Sequence, residues 1–467
     1  MRAMARLEVA SAGSASAAAD AATTRSTSRR TRVCVCMPAS DQRPRGRFRS
    51  MARMESARAY TARLTAPVHY TTHWSRPRWM LAALLGGLGT IGPFAVDTYL
   101  PAFTGIAASL AASPLQMQQT LSAYLLGIAL MNLFHGALSD GFGRRPVILA
   151  GIGVFALASI GCALADTIGA LVAWRVVQGL SGGAGMVVAR AVVRDLFDAV
   201  DAQRMMSQMT LFFGVAPALA PLIGGVLFVH LGWASIFWFL AGVGLLLWIS
   251  CAAWLPETLP PESRQSLHIG PLMRGYWELL GSARFVALVM VSVLPFNGFF
   301  LYVLSSPEWL GTHLRLEPTQ FFVYFVMSIT CVMAGAWVCG RLAGRVPKRR
   351  QIRWGFQFMA VTAFGNVALN LMLDAHVAWA LLPVTLYAFG WSLMTPLVTV
   401  MLLDLSPQRR GLASSLQAGL GAAINGLVAG VIAPAVMHGT RTLALAAAAL
   451  FTGGLLAWLW VRNRLPE

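Results

Sequence analysis

The sequence predicts an all-α integral membrane protein with twelve transmembrane helices in two six-helix halves, and three observations predict it. First, 57% of the 467 residues are apolar and only 12% are charged. A water-soluble core has no use for that much apolar surface, whereas each bilayer crossing takes about 20 mostly apolar residues. Second, twelve such runs are present: 79–102, 117–138, 147–166, 168–189, 205–229, 233–254, 285–304, 320–340, 354–374, 377–403, 412–436 and 442–461. Third, the cations fall on alternate connections. Sixteen Arg and Lys residues follow runs 2, 4, 6, 8 and 10, six of them between Arg341 and Arg353, and the opposite connections hold Arg315 and Arg441 alone. This bias places both termini on the cytoplasmic side. It also argues against nucleic acid as the partner implied by the net charge of +18, because a nucleic-acid face does not alternate with span number.

Five segments follow. Residues 1–78 are rich in Ala, Ser, Thr and Arg, carry fifteen of the 36 basic residues and contain no long apolar run. They read as a disordered basic cytoplasmic tail, or as sequence upstream of a later true start such as Met51, Met54 or Met80. Residues 79–254 form the first bundle, 255–284 a cytoplasmic connecting loop, 285–461 the second bundle and 462–467 a short cytoplasmic tail. Cys162, Cys251, Cys331 and Cys339 lie in or beside apolar runs as small packing residues, with no metal or disulfide spacing.

Taken in order, the first span carries Asp97. It is the only carboxylate in the interior of any run; Asp166 and Asp374 end the third and ninth. An ionised Asp near a helix centre costs about 2.5–3.5 kcal/mol on insertion scales, so its presence needs a reason. A desolvated carboxyl that alternates between environments can load and release a proton. The structural alternative is a cap at the outer end of the span, because Pro101 follows.

Between spans 2 and 3 lies Gly136-Ala-Leu-Ser-Asp140-Gly-Phe-Gly143-Arg144-Arg145. Asp140 can pair with an Arg across a tight turn that Gly143 permits. Such a turn can latch two helical bundles and release them when they rock. In span 4, Arg175 stands beside Gln178 and Gly179. A guanidinium there needs an acid, a carbonyl or water beside it, unless it snorkels to the interface. In span 5, Pro217 and Pro221 remove backbone donors and bend the helix, with Gly224 and Gly225 beyond them. Tyr99, Tyr124, Met131, Gln178, Asn297 and Phe300 are candidates for an adaptable substrate pocket, with Phe212, Phe296, Phe299 and Tyr302 as further aromatic candidates. Ser305, Ser306 and Pro307 mark a break at the end of span 7.

The halves repeat at an offset of 204–205 residues. Gly136, Arg144 and Arg145 correspond to Gly340, Lys348 and Arg349, with Gly344 where Asp140 stands. Gly214, Ala218, Pro221 and Gly225 in span 5 correspond to Gly419, Ala423, Gly426 and Gly430 in span 11. Both sets lie on one helix face and let backbones approach closely.

The G-x-L-S-D-x-x-G-R-R turn resembles the loop signature of the major facilitator superfamily, and Arg175-Val-Val-Gln178-Gly179 resembles its second signature, R-x-x-Q-G. Ala220-Pro221-Leu-Ile-Gly224-Gly225 is similar to the antiporter signature G-P-x-x-G-G, with Ala220 for the first Gly. Together with Asp97-Thr-Tyr-Leu-Pro101 and Leu255-Pro-Glu257-Thr-Leu-Pro-Pro, these motifs resemble the Bcr/CflA group of bacterial drug:proton antiporters, from about Trp79 to the C-terminus. The resemblance implies the major facilitator fold, a role for Arg175 in proton coupling, and a cytoplasmic latch of Gly136, Asp140, Gly143, Arg144, Arg145 and Asp195. Gly141 departs from the group's usual Arg, and Asn132, Phe134 and His135 depart from its span 2. His135 reads as an interfacial helix residue.

The function expected is proton-coupled efflux of small, mostly hydrophobic molecules across the bacterial inner membrane. The working form expected is a monomer in the bilayer, with no cofactor or metal, driven by protons. G-x-x-x-x-G-K-[ST] does not occur, which argues against ATP as the energy source. The alternatives are a metabolite exporter or importer of the same fold, and a non-transporting membrane sensor. A membrane enzyme would need an interfacial cluster of His, Asp or Ser that the sequence does not display.

Overall fold

The computed structural model describes residues 74, 76–264, 268–406 and 409–464. Most of the expected N-terminal tail, and residues 465–467, lie outside them. No strand occurs among the described residues. Eleven helices are long and apolar enough to cross a membrane, and twelve spans result when one pair bent by 48° is counted together.

In chain order the helices are α1 (Arg78–Asp97), α2 (Phe103–Ser109), α3 (Pro114–Asn132), α4 (His135–Phe142), α5 (Arg144–Ala163), α6 (Ile168–Gly182), α7 (Ala184–Leu196), α8 (Ala199–Leu231) and α9 (Ala234–Trp254). Then come α10 (Ile269–Leu280), α11 (Ala283–Leu304), α12 (Phe322–Leu342), α13 (Lys348–Met372), α14 (Val377–Asp404), α15 (Arg410–Leu427), α16 (Ala433–Val436) and α17 (Thr440–Val461). Short polar residues start several of them. Ser113 and Gln116 form a capping box at α3, and Thr167, Asp198 and Ser282 cap α6, α8 and α11.

Three expectations change. The second span is not one helix over 117–138: it breaks after Asn132, and α3 and α4 meet at 48°. The fourth span breaks at Gly183 between α6 and α7. The two breaks face each other, since a Cβ on Gly183 would lie 2.8 Å from Asn132 Oδ1. The connection 255–284 is not a plain loop either, because it contains α10. Pro217 and Pro221 do not interrupt their helix, and α8 runs unbroken for 33 residues.

The first half is knit by glycines. A Cβ on Gly179 would lie 2.1 Å from Tyr124 O, and one on Gly127 2.8 Å from Leu180 N, so α3 and α6 touch backbone to backbone. Large apolar side chains such as Leu157, Leu246 and Val361 point outward, as a lipid-facing surface requires.

The two small-residue stripes make the contacts between halves. On α15 and the π-helical turn that follows it (Val428–Ile432), Gly419 abuts Leu133, Gly426 abuts Leu126 and Gly430 abuts Ser122, all on α3 or just past its end. Ser122 Oγ donates to Gly426 O at 2.7 Å across this seam. On α8, Gly225 abuts Pro318 O and Gly214 faces Met333 Sδ, both in the second half. Span 5 therefore packs on span 8 as span 11 packs on span 2, as the repeat implies.

Candidate functional site

Helix α1 ends at Asp97, and a 3-10 turn over Leu100–Ala102 follows. Pro101 has no N–H with which to continue the ladder. Thr98 satisfies Phe94 O with its N–H and hydroxyl, while the Ala95 carbonyl can take an outside donor, and the helix dipole places partial negative charge at this end. Arg175, fully buried on α6, answers both. Its Nη1 donates to Ala95 O at 3.0 Å and to Gln178 Oε1 at 2.6 Å. Its guanidinium carbon lies 4.9 Å from the Tyr99 ring centroid and 4.3 Å from that of Tyr124, so cation–π attraction replaces water. Gln178 Nε2 donates in turn to Ser159 Oγ at 2.8 Å, and the Tyr99 hydroxyl shares a 2.8 Å hydrogen bond with Thr120. Arg175 does not snorkel.

Asp97 is also buried, yet its side chain makes no ion pair or hydrogen bond to any described residue. It lies within electrostatic reach of Tyr124 and of Tyr324 from the second half. Arg175 is thus held by the main chain two residues before Asp97, not by its carboxylate.

The charged turn forms a second cluster. Gly143 has φ +104°, a conformation suited to glycine, and α5 begins at the next residue. Arg144 Nη1 donates to Asp140 Oδ1 at 2.5 Å and to Ser139 Oγ at 2.7 Å, and its Nε donates to Asp195 Oδ2 at 3.0 Å. Thr258 Oγ1 also donates to Asp195 Oδ2. Glu257 closes the arrangement: its carboxylate accepts from the backbone N–H groups of Arg144 and Arg145 at 3.0 and 3.2 Å. Arg145 reaches Ala252 O at 2.6 Å. The partners of Arg144 and Arg145 all lie between Ser139 and Thr258, and beside them the Gly136 end of the turn faces Ser415 of the second half, 4.0 Å from an added Cβ. The cluster ties spans 2, 3, 4 and 6 of one bundle together.

Bridging between the halves at this face falls to α10. Tyr276 Oη donates to Leu133 O at 2.7 Å, Gly275 abuts Leu412, and Glu278 pairs with Arg409. Burial holds the Tyr276 phenol above its usual pKa, against a hydrogen bond with Ser415 that lowers it, so it stays a donor.

Between these groups lies a cavity of about 1280 Å³, lined by residues from α3 to α5, α7, α10 and α15. At the opposite end the halves are closed. Gln118 Nε2 donates to Leu304 O at 3.0 Å and contacts Met437 Sδ across the halves, and within the second half His313 Nε2 lies 3.0 Å from Met437 O. Helix α11 ends at Leu304 and a π-helical turn over Pro307–His313 follows, so a break stands where Ser305, Ser306 and Pro307 suggested one.

The structure divides the pocket candidates. Tyr99, Tyr124 and Gln178 surround Arg175. Asn297 is buried in the second half, where its Nδ2 donates to Val293 O and Asn425 Oδ1 at 2.9 Å. Phe300 stacks on Phe296, which meets Trp391. Met131 is half-buried. None of the six lines the large cavity. Gly224, beyond Pro217 and Pro221, abuts Thr98 O. His135, at the start of α4, is buried. Glu257, Gln118, His313 and Tyr276 were not singled out as site residues, and only Glu257 carried a signal, within its Leu-Pro-Glu-Thr motif.

A cavity between two helical halves that meet along seams of small residues is built to pass solutes, not to transform them. The family match shows the protein to be a membrane transporter rather than an enzyme. It belongs to the Major Facilitator Superfamily, whose family profile matches residues 83–430. An uncharacterized MFS-type transporter of Bacillus subtilis, YdgK, is 33% identical over 346 residues, 73% of this chain and 85% of the relative. Multidrug resistance protein D of Escherichia coli is 29% identical over 390 residues, 83% and 97% of the two chains. The bicyclomycin resistance protein homolog of Haemophilus influenzae is 29% identical over 381 residues, 81% and 95%. These names agree with the resemblance to the Bcr/CflA group. In fold, the chain superposes on a D-xylose-proton symporter with a TM-score of 0.64 at 16% identity, covering 84% of this chain and 98% of that one.

Proposed function

We propose that this transporter exports small, mostly hydrophobic, drug-like molecules across the bacterial inner membrane in exchange for protons. It works by alternating access, as a monomer with both termini cytoplasmic. The observation that carries this reading is Asp97, a buried carboxyl in the first span with no ion-pair partner among the described residues, next to a helix end held by a caged Arg175. An acid without a fixed partner can exchange its proton as its surroundings change. Arg175, balanced by the helix end and two aromatic rings, fixes the main chain two residues before Asp97. A membrane potential adds about 2.3 kcal/mol per charge per 100 mV.

The names of two relatives, a bicyclomycin resistance protein homolog and multidrug resistance protein D, support export of drug-like molecules. The basic connections support a cytoplasmic location for the large cavity. The conformation is then inward-facing, with Gln118 closing against Leu304 and Met437 on the outer side. The cluster of Asp140, Arg144, Arg145, Asp195 and Glu257 makes the first bundle a rigid body, and α10 spans the bundles.

Everted membrane vesicles with an imposed pH gradient test the reading. Asp97→Asn keeps the size but cannot titrate, and loses pH-driven dye efflux at normal expression; Asp97→Glu keeps part of it. Full pH-driven efflux by Asp97→Asn sinks the assignment.

A further inference from the structure

The large cavity carries a charge imbalance that proton exchange at Asp97 does not use. Five arginines (Arg144, Arg190, Arg194, Arg274 and Arg409) and three carboxylates (Asp140, Asp195 and Glu278) line it, a net charge of +2. The carboxylates are all engaged: Arg144 holds Asp140 and Asp195, and Arg409 holds Glu278. Arg190, Arg194 and Arg274 make no ion pair or hydrogen bond to any described residue, and all three are exposed to the cavity.

Arg190 and Arg194 stand one turn apart on α7, and Arg274 comes from α10. Like charges at i,i+4 destabilise a helix. The positive-inside bias accounts for cations at this face, but a solvated loop delivers that signal equally well. It does not account for uncompensated guanidiniums lining one cavity. Cavity walls of low dielectric focus their field, and guanidinium forks match carboxylate and sulfonate geometry. Leu133, Val187, Leu272 and Leu412 line the same cavity and offer apolar contact.

We propose that this cavity is a selectivity vestibule for amphipathic organic anions, gathered by Arg190, Arg194 and Arg274, and that it disfavours cationic compounds. The proposal rests on the export reading and narrows its substrate class. An acidic phospholipid headgroup offers the same chemistry to the same guanidiniums, so the test must separate a soluble anion from a lipid.

The full-length protein in phosphatidylcholine nanodiscs is titrated with naphthoate and with naphthamide, which match in shape and differ in charge. Naphthoate is expected to bind about tenfold more tightly at low salt, with the preference shrinking at about 0.3 M salt. The double variant Arg190→Gln/Arg194→Gln, and separately Arg274→Gln, should reduce the preference while naphthamide affinity stays unchanged, which also reports an intact fold. Equal binding of the two compounds, binding of neither, or a preference that survives both variants overturns the proposal. So does arginine-dependent retention of phosphatidylglycerol in mixed nanodiscs without naphthoate binding, which would assign the site to lipid. Efflux of the uncharged dye N-phenylnaphthylamine, driven by a pH gradient, is measured alongside. Its absence in the wild type counts against export, whereas its presence without a charge preference counts against the vestibule alone.

Discussion

Glu257 caps the helix that Arg144 begins. Its two carboxylate oxygens accept from the backbone N–H groups of Arg144 and Arg145, while the Arg144 side chain turns away to Asp140 and Asp195. One residue thus offers its main chain to one acid and its side chain to two others, and the helix N-terminus is closed by a charge of the favourable sign.

Removing that cap should be measurable. Glu257→Ala leaves two N–H groups of α5 without acceptors and is expected to cost about 1–2 kcal/mol, read as a lower melting temperature of the detergent-purified protein. Glu257→Gln, which keeps an acceptor oxygen but loses the charge, should cost less. An unchanged melting temperature for Glu257→Ala would show that solvent replaces the cap without loss.

Two glycines with positive φ provide an internal control. A Cβ at Gly143 would lie 2.5 Å from Glu257 Oε2, whereas a Cβ at Gly344, φ +75°, meets nothing within 4 Å. Gly344→Ala should cost about 1–2 kcal/mol from backbone strain alone. Gly143→Ala should cost more, because it adds a clash and displaces the cap. Equal melting temperatures for the two variants would refute the crowding.

Seam contacts should divide by what they touch. Gly224→Ala would put a methyl 2.1 Å from the Thr98 carbonyl, whereas Gly426→Ala meets the Leu126 side chain, which can move. The first variant is expected to lower the yield of monodisperse protein severely and the second only mildly, as size-exclusion traces of fluorescent fusions would show. The reverse order would contradict the packing.

The closed end, opposite the large cavity, invites a crosslink. A Cβ at Gly430 would fall 3.0 Å from Ser122 Cβ, so a seam that gives by about 0.5–1 Å reaches disulfide spacing. In a background without native cysteines, Ser122→Cys with Gly430→Cys should oxidise readily and stop efflux, and a reductant should restore it. Undiminished efflux by the oxidised protein would mean that this seam never opens.

Much of the frame was legible because it is written in composition and period. Apolar runs and two matched stripes of small residues define spans and seams without knowledge of any partner. What escaped depends on partners that pattern does not display. Glu257 meets its N–H groups 112 and 113 positions away in the chain, and nothing local to either segment announces the pairing. Arg175 binds a carbonyl of Ala95, and every residue has a carbonyl, so sequence suggested only that some partner was needed. Tyr99 and Tyr124 were readable as aromatic groups, but their role as plates over a guanidinium depends on how α3 and α6 pack at Gly127 and Gly179. The bend after Asn132 falls among Leu133 and Phe134, which carry no helix-breaking chemistry.

Gly224 and Gly225 face different halves from adjacent positions on α8, one against Thr98 O and the other against Pro318 O. Interlocked side chains act as gear teeth and resist sliding, whereas bare backbone against bare backbone is a plain bearing. At this turn α8 is gripped from two sides with no clearance for an added methyl, yet no side chain of its own must climb over a neighbour when the surfaces shift. Tightness and lubricity, which usually trade against each other in a packed interior, coincide at these two residues.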